Sequence, residues 1–163
     1  MVILGVDPGF INAGFSILHK KANRILLLDS GVLSMKSSES IAYRINRFYD
    51  FFNQKILDFG VNAISIETPF LAKNPQNFLK LGYLRGILYL LSSQNNIDIL
   101  EFSPRQIKLA ITGYGAASKD QIARVLIKIF PGFKLPCKFD ITDSIAISLC
   151  GLWNTCYKNI GKF

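Results

Sequence analysis

The sequence predicts an α/β domain: a mixed central sheet of three antiparallel strands followed by parallel ones, flanked by helices. Three observations predict it. First, three apolar runs open the chain with only short polar turns between them, as in an antiparallel meander. Second, two later apolar runs, 61–67 and 97–102, alternate with segments of helical period, as crossover connections require. Third, the first opening run and the first later run both end on a carboxylate, Asp7 and Glu67. A charge at the tip of a buried strand serves no folding purpose, and two such tips are hard to assign to chance.

Each element follows from its own residues. Val2, Ile3, Leu4 and Val6 make a short buried strand that Asp7-Pro8-Gly9 punctuates. Taken alone, Asp7 reads equally well as a turn former before Pro-Gly. Asn12-Ala13-Gly14 leads into a second strand at Phe15-Ser16-Ile17-Leu18. Lys20-Lys21-Ala22-Asn23 is a polar turn, and 24–33 returns as a third strand. Ser38 is expected to cap a helix, with Glu39 at its positive end. Ile41, Ile45, Phe48, Phe52 and Ile56 then recur at helical spacing through Asp58, and Gly60 ends the helix.

After the strand at 61–67, Asn74-Pro75 opens a helix over 76–92 that is apolar nearly all round. A helix of that kind is buried on every face, either in a central core or with one face against a second subunit. Gly82 and Gly86, four apart, would admit another backbone at close range. Asn95-Asn96 turns into the strand at 97–102. Ser103-Pro104 starts a helix that runs through Ile111. Ser118 caps the next, with Ile122, Val125, Leu126 and Ile129 inward, and Pro131-Gly132 stops it. The last helix runs from near Asp140 to about Tyr157. No repeat, linker or low-complexity run interrupts the chain, so 1–163 reads as one domain.

Composition narrows the function classes. Half of the residues are apolar (50%), yet charges break every apolar stretch short of the roughly 18 residues that a membrane span needs. The N-terminus lacks the basic-then-apolar order of a signal peptide. The expectation is a cytoplasmic domain without membrane contact. Cys137, Cys150 and Cys156 are odd in number and lack Cys-x-x-Cys spacing, which favours free thiols over disulfides or a zinc site. There are 19 Lys+Arg against 11 Asp+Glu, for a formal charge of +8. If four of those acids share a pocket, the remaining surface is more basic still. A nucleic acid is the simplest polyanion to meet it.

The four acids are Asp7, Glu67, Asp140 and Asp143. Asp140 and Asp143 are three apart, so they share a face of the last helix's first turn. Like charges side by side repel unless a cation binds them, and the helix dipole offsets only part of that. The plainer reading is two solvated acids favouring a helix start. Gathered together, four carboxylates suit the oxygen-preferring ions Mg²⁺ or Mn²⁺. Two such ions could activate a water and stabilise the leaving oxygen of a phosphodiester.

Several stretches carry a resemblance to a known family. They are Gly5-Val6-Asp7-Pro8-Gly9, Ile66-Glu67 with Phe70 following, and Ala72-Lys73-Asn74-Pro75. Leu79-Lys80-Leu81-Gly82, Arg85-Gly86 and Ser103-Pro104-Arg105-Gln106-Ile107-Lys108 continue the set. The longest is Ala110-Ile111-Thr112-Gly113-Tyr114-Gly115-Ala116-Ala117-Ser118-Lys119, and Asp140-Ile141-Thr142-Asp143-Ser144-Ile145-Ala146 closes it. Over nearly its whole length the chain resembles the RuvC family of Holliday junction resolvases, in the RNase H-like superfamily.

That resemblance implies an RNase H-like fold. It also implies a homodimer that binds four-way DNA junctions and makes paired nicks in two strands of like polarity during recombination and repair. It implies Asp7, Glu67, Asp140 and Asp143 as ligands of two Mg²⁺ ions per subunit, with Mn²⁺ as a substitute. Lys108 and Lys119 match basic residues beside the reacting phosphate, and Phe70 matches an aromatic that stacks at the junction centre. Lys73, Arg85 and Arg105 are expected to join Phe70, Lys108 and Lys119 as DNA contacts. A branch-migration motor of the RuvA and RuvB type is the implied partner. The all-round apolar helix matches the element at the dimer interface. Thr142 and Ser144 depart from the family, standing where small alanines are common. Two other readings are a related nuclease with a different substrate and a non-catalytic junction binder; intact acids argue against the second.

Overall fold

The computed structural model describes residues 1–22, 24–69, 75–131 and 139–160, with side chains through Thr155. The opening meander forms as expected: β1 is Val2–Asp7, β2 is Asn12–Lys21 and β3 is Arg24–Ser34. The first helix, α1, is Ile41–Phe59 and leads into β4, Ala63–Glu67. The second, α2, is Pro75–Asn95 and leads into β5, Asp98–Phe102. Three helices close the chain: α3 (Pro104–Thr112), α4 (Lys119–Ile129) and α5 (Phe139–Ile160).

The five strands form one sheet in the order β3-β2-β1-β4-β5. The first three are antiparallel, whereas β4 and β5 run parallel to β1. Parallel pairing needs crossovers, which α1 and α2 supply. Each face of the sheet buries its own core. Leu4, Val6, Ile64 and Ile66 pack with Phe48 and Phe52 of α1 and Leu84 and Leu88 of α2. On the opposite face, Ile3 and Ala63 pack with Ile107, Leu126 and the apolar side of α5. The domain is therefore a helix–sheet–helix sandwich.

Capping chemistry sets most of the helix boundaries. Ser103 and Ser118 each form a full capping box, with Gln106 and Gln121 respectively. Gly60 ends α1 in the left-handed conformation, at φ 58°. The start of α1 corrects the sequence reading, because its cap is Ser40, which accepts from the Tyr43 amide, and not Ser38. Glu39 lies ahead of that cap, and its carboxylate accepts from the Lys36 amide at 3.0 Å. It therefore lies outside the helix's first turn.

The all-round apolar helix resolves into two sides. Leu84, Leu88 and Leu91 of α2 are buried. Leu79, Tyr83 and Leu90 are 58%, 40% and 44% exposed. Gly82 and Gly86 lie on that same stripe with open space where a side chain would stand. Cys150 is a free, buried thiol; Cys137 and the side chain of Cys156 lie outside the described residues. No helix among the described residues is long and apolar enough to cross a membrane.

Candidate active site

Strand register alone brings the first two acids together. Val6 pairs with Ile66 across the parallel β1–β4 ladder, so Asp7 and Glu67 follow as neighbours at the same sheet edge. Adjacent strands lie ~4.8 Å apart. Side chains alternate between faces, so Asp7 shares the face of Gly5, and Glu67 that of Ser65. Gly5 and Ser65 face α5: a Cβ on Gly5 would lie 2.5 Å from the Ser144 carbonyl, and the Ser65 hydroxyl donates to the Ile147 carbonyl at 2.8 Å. Both carboxylates therefore point to the side where α5 begins.

Asp140 and Asp143 come from that first turn of α5, and small residues let it approach. Gly14 pairs with Asp7 in the β1–β2 ladder, and a Cβ on Gly14 would run into the backbone of Asp140. Buried hydroxyls then fasten α5 to the sheet. Ser16 Oγ donates to the Ser144 carbonyl at 2.9 Å and lies 2.8 Å from Ser148 Oγ. Thr142 and Ser144, the departures from the family pattern, satisfy their hydroxyls within α5, on the carbonyls of Phe139 (2.7 Å) and Ile141 (2.8 Å).

The acids feel one another's charge. Asp7 is raised from 3.8 to about 7, first by burial and then by Asp143, Glu67 and Asp140. Glu67 is also raised, chiefly by burial and next by Asp143, while Lys119 and Lys108 pull it down. Lys119 Nζ donates to Asp143 Oδ2 at 2.6 Å and also lies 5.7 Å from the centre of the Phe139 ring. That bond with Asp143 is the main cause holding the Lys119 ammonium above its ordinary pKa. Among the described residues, no three His, Cys, Asp or Glu stand close enough to enclose an ion as they are. The acids share a field rather than a closed cage. Their donor chemistry, all carboxylate oxygen with excess negative charge, fits a hard divalent cation.

The basic residues divide. Lys119 is bonded to Asp143, and Lys108 is near enough for its charge to lower Glu67. Arg105 is exposed, with its stem against Gly115. Phe70 and Lys73 lie outside the described residues. Arg85 is largely buried, 9% exposed, and its guanidinium is held by protein partners. Its Nη1 donates to the Glu67 carbonyl at 2.5 Å, and its Nη2 pairs with the Glu101 carboxylate, which also accepts from Tyr89. Sequence reasoning missed Glu101 and Tyr89; their signal is register, since Glu101 pairs with Ile66 beside the Glu67 tip. A second buried arginine, Arg44 of α1, supports the loop after Asp7. It donates to the Phe10 carbonyl at 3.3 Å and covers the Phe10 ring at 5.1 Å. A cavity of about 130 Å³ opens between the Asp7 and Glu67 tips and Leu81 and Arg85 of α2.

This mixed sheet, with acids at two neighbouring strand tips and at the start of the last helix, defines an RNase H-like α/β domain. The family model of crossover junction endodeoxyribonuclease RuvC matches residues 3–151, and the chain belongs to that family. A RuvC protein of Natranaerobius thermophilus is 37% identical over 150 residues, covering 92% of this chain and 93% of its own. One from Pelodictyon phaeoclathratiforme is 37% identical over 152 residues, covering 93% of this chain and 80% of its own. The fold is shared with Thermus thermophilus RuvC solved in complex with a Holliday junction substrate. That match has a TM-score of 0.90 at 23% identity over 97% of this chain and 96% of that one.

Proposed function

We propose that the chain resolves four-way DNA junctions as a homodimer, hydrolysing one phosphodiester per subunit in strands of like polarity. The observation that carries this reading is that Asp7 and Glu67 end neighbouring strands beside the first turn of α5, which bears Asp140 and Asp143, with Lys119 bonded to Asp143. The same four carboxylates are the proposed ligands of two Mg²⁺ ions per subunit, Mn²⁺ being the natural substitute. When bound, such ions neutralise the carboxylates, acidify water and stabilise charge on the departing oxygen.

The rest falls to the chain's own side chains. Asp7 is the proposed central ligand, since its carboxyl feels the charge of all three other acids. Lys119 draws the DNA backbone to the mouth of the site, and Lys108 stands beside Glu67 to stabilise negative charge developing on the phosphate. Arg105 is an exposed phosphate contact at the edge. Phe70 and Lys73 are proposed DNA contacts on family grounds, Phe70 by stacking on an unpaired base. The stripe Leu79, Gly82, Tyr83, Gly86 and Leu90 is proposed to meet its counterpart on a second copy. The two glycines let backbones approach, and the apolar side chains lose their exposure. A motor of the RuvA and RuvB type would present the junction, and a cytoplasmic location suits that task.

The test is nicking of a synthetic mobile junction with Mg²⁺ or with EDTA, mapping both cut positions. Linear duplex and an RNA–DNA hybrid serve as competing substrates. Symmetric cuts that need the divalent ion and favour the junction are expected. Asp7→Asn should reduce nicking to background while junction binding persists. Equal cutting of all three substrates, or full nicking by Asp7→Asn, would overturn the reading.

A further inference from the structure

We propose that Arg85 is a positioning residue for Glu67, held in place by Glu101 and Tyr89, and that this triad fixes the strand tip on which ion binding depends. The proposal rests on the nuclease reading above. Arg85 and Arg44 are the charged residues buried among the described residues, and each ties down backbone beside a strand-tip acid. The two arginines are not equivalent. Among the described residues Arg44 forms no ion pair, and its Nε lacks a partner. Arg85 spends one arm of its fork on the Glu67 carbonyl and the other on Glu101. A planar guanidinium that bridges a carbonyl and a carboxylate fixes direction as well as distance.

The bond reaches Glu67 from the face opposite its carboxylate. Arg85 comes from α2, on the side of Val6 and Ile66, whereas the Glu67 side chain points toward α5. Arg85 thus leaves the charge of the acid cluster uncompensated and instead limits rotation of the peptide that aims it. The ladder adds a second restraint, since the Thr68 amide donates to the Phe102 carbonyl at 2.8 Å. Glu101 precedes Phe102 and lies at the exposed margin, where the Tyr89 hydroxyl donates to it. Tyr89 and Arg85 are four apart on α2, on adjacent turns, so one helix presents both donors to one carboxylate.

The experiment compares wild type with Glu101→Gln, Arg85→Lys and Tyr89→Phe. Mn²⁺ affinity is measured by calorimetry without DNA, junction affinity in EDTA, and exchange of the Thr68 amide by NMR. Glu101→Gln and Arg85→Lys should weaken Mn²⁺ binding about 10–100-fold, the usual effect of losing a partner behind a metal ligand. Thr68 exchange should quicken, junction affinity should stay within about twofold, and excess Mn²⁺ should restore nicking. Tyr89→Phe should shift each readout in the same direction by less. Unchanged Mn²⁺ affinity in both charged-pair variants overturns the proposal. So does a fall in junction affinity with intact Mn²⁺ binding, which would make Arg85 a DNA contact. Loss of cooperative unfolding in both variants would reduce the pair to a folding element and overturn it as well. A wild-type protein that binds no Mn²⁺ and cuts nothing fails at the nuclease reading, and the positioning role falls with it.

Discussion

Asp7 shows what one residue gives up for this site. Its carboxyl is buried beside three others, which lifts its pKa from 3.8 to about 7. For an acid raised on folding, the folded chain holds its proton more tightly than the unfolded chain. The resulting stabilisation is complete below about pH 4, declines between 4 and 7, and is gone above 7. Glu67 shifts in the same direction. In EDTA, melting temperature should therefore fall from pH 5 to pH 8. Asp7→Asn should flatten that slope and stabilise the protein at pH 8 by on the order of 2–4 kcal/mol. Mg²⁺ should rescue wild type at pH 8 and leave the variant nearly unmoved. Lys119 works from the other side of the balance: Lys119→Ala should slow nicking about 10²–10³-fold, read as a single-turnover rate.

At the scale of elements, the site depends on how closely α5 lies on the sheet. Gly14→Ala would drive a methyl into the Asp140 backbone, so the first turn of α5 has to shift. Urea melts should show a loss of about 1–3 kcal/mol. Nicking should fall further than that loss explains, because Asp140 and Asp143 move with the turn. Ser118→Ala tests the neighbouring helix start; losing that capping box should cost about 1 kcal/mol in the same melts. Much of this was legible in the sequence. Strands ending on Asp7 and Glu67, caps at Ser103 and Ser118, and the Asp140–Asp143 spacing all follow from local chemistry. What stayed hidden was set by partners far along the chain. Ser16, 128 residues from Ser144, gives no local sign of its bond to α5. The inward turn of Arg85 depends on Glu101 lying beside it in space. At α1 the expected cap, Ser38, gave way to Ser40, which directly precedes the first helical residue, Ile41.

Across the whole molecule, the two faces of the sheet divide the work. One face gathers acids and lysines at the start of α5; the other carries α2 with its uncovered stripe. If the stripe forms the proposed dimer, wild type should sediment as a dimer and Tyr83→Glu as a folded monomer, whose cuts should become independent single nicks. Junction affinity should fall steeply with salt for both, since released counterions drive association with DNA.

The Lys119–Asp143 bond has a consequence for how a strand enters. The Lys119 side chain is 60% exposed and that of Asp143 only 25%, with Asp7 among the acids behind it. Travelling inward, an approaching phosphate meets attraction first and repulsion after, like a funnel with a like-charged plug. Without divalent ions the chain should hold DNA at its threshold and not seat it. Adding Ca²⁺ should then tighten junction binding, although extra salt ordinarily loosens it.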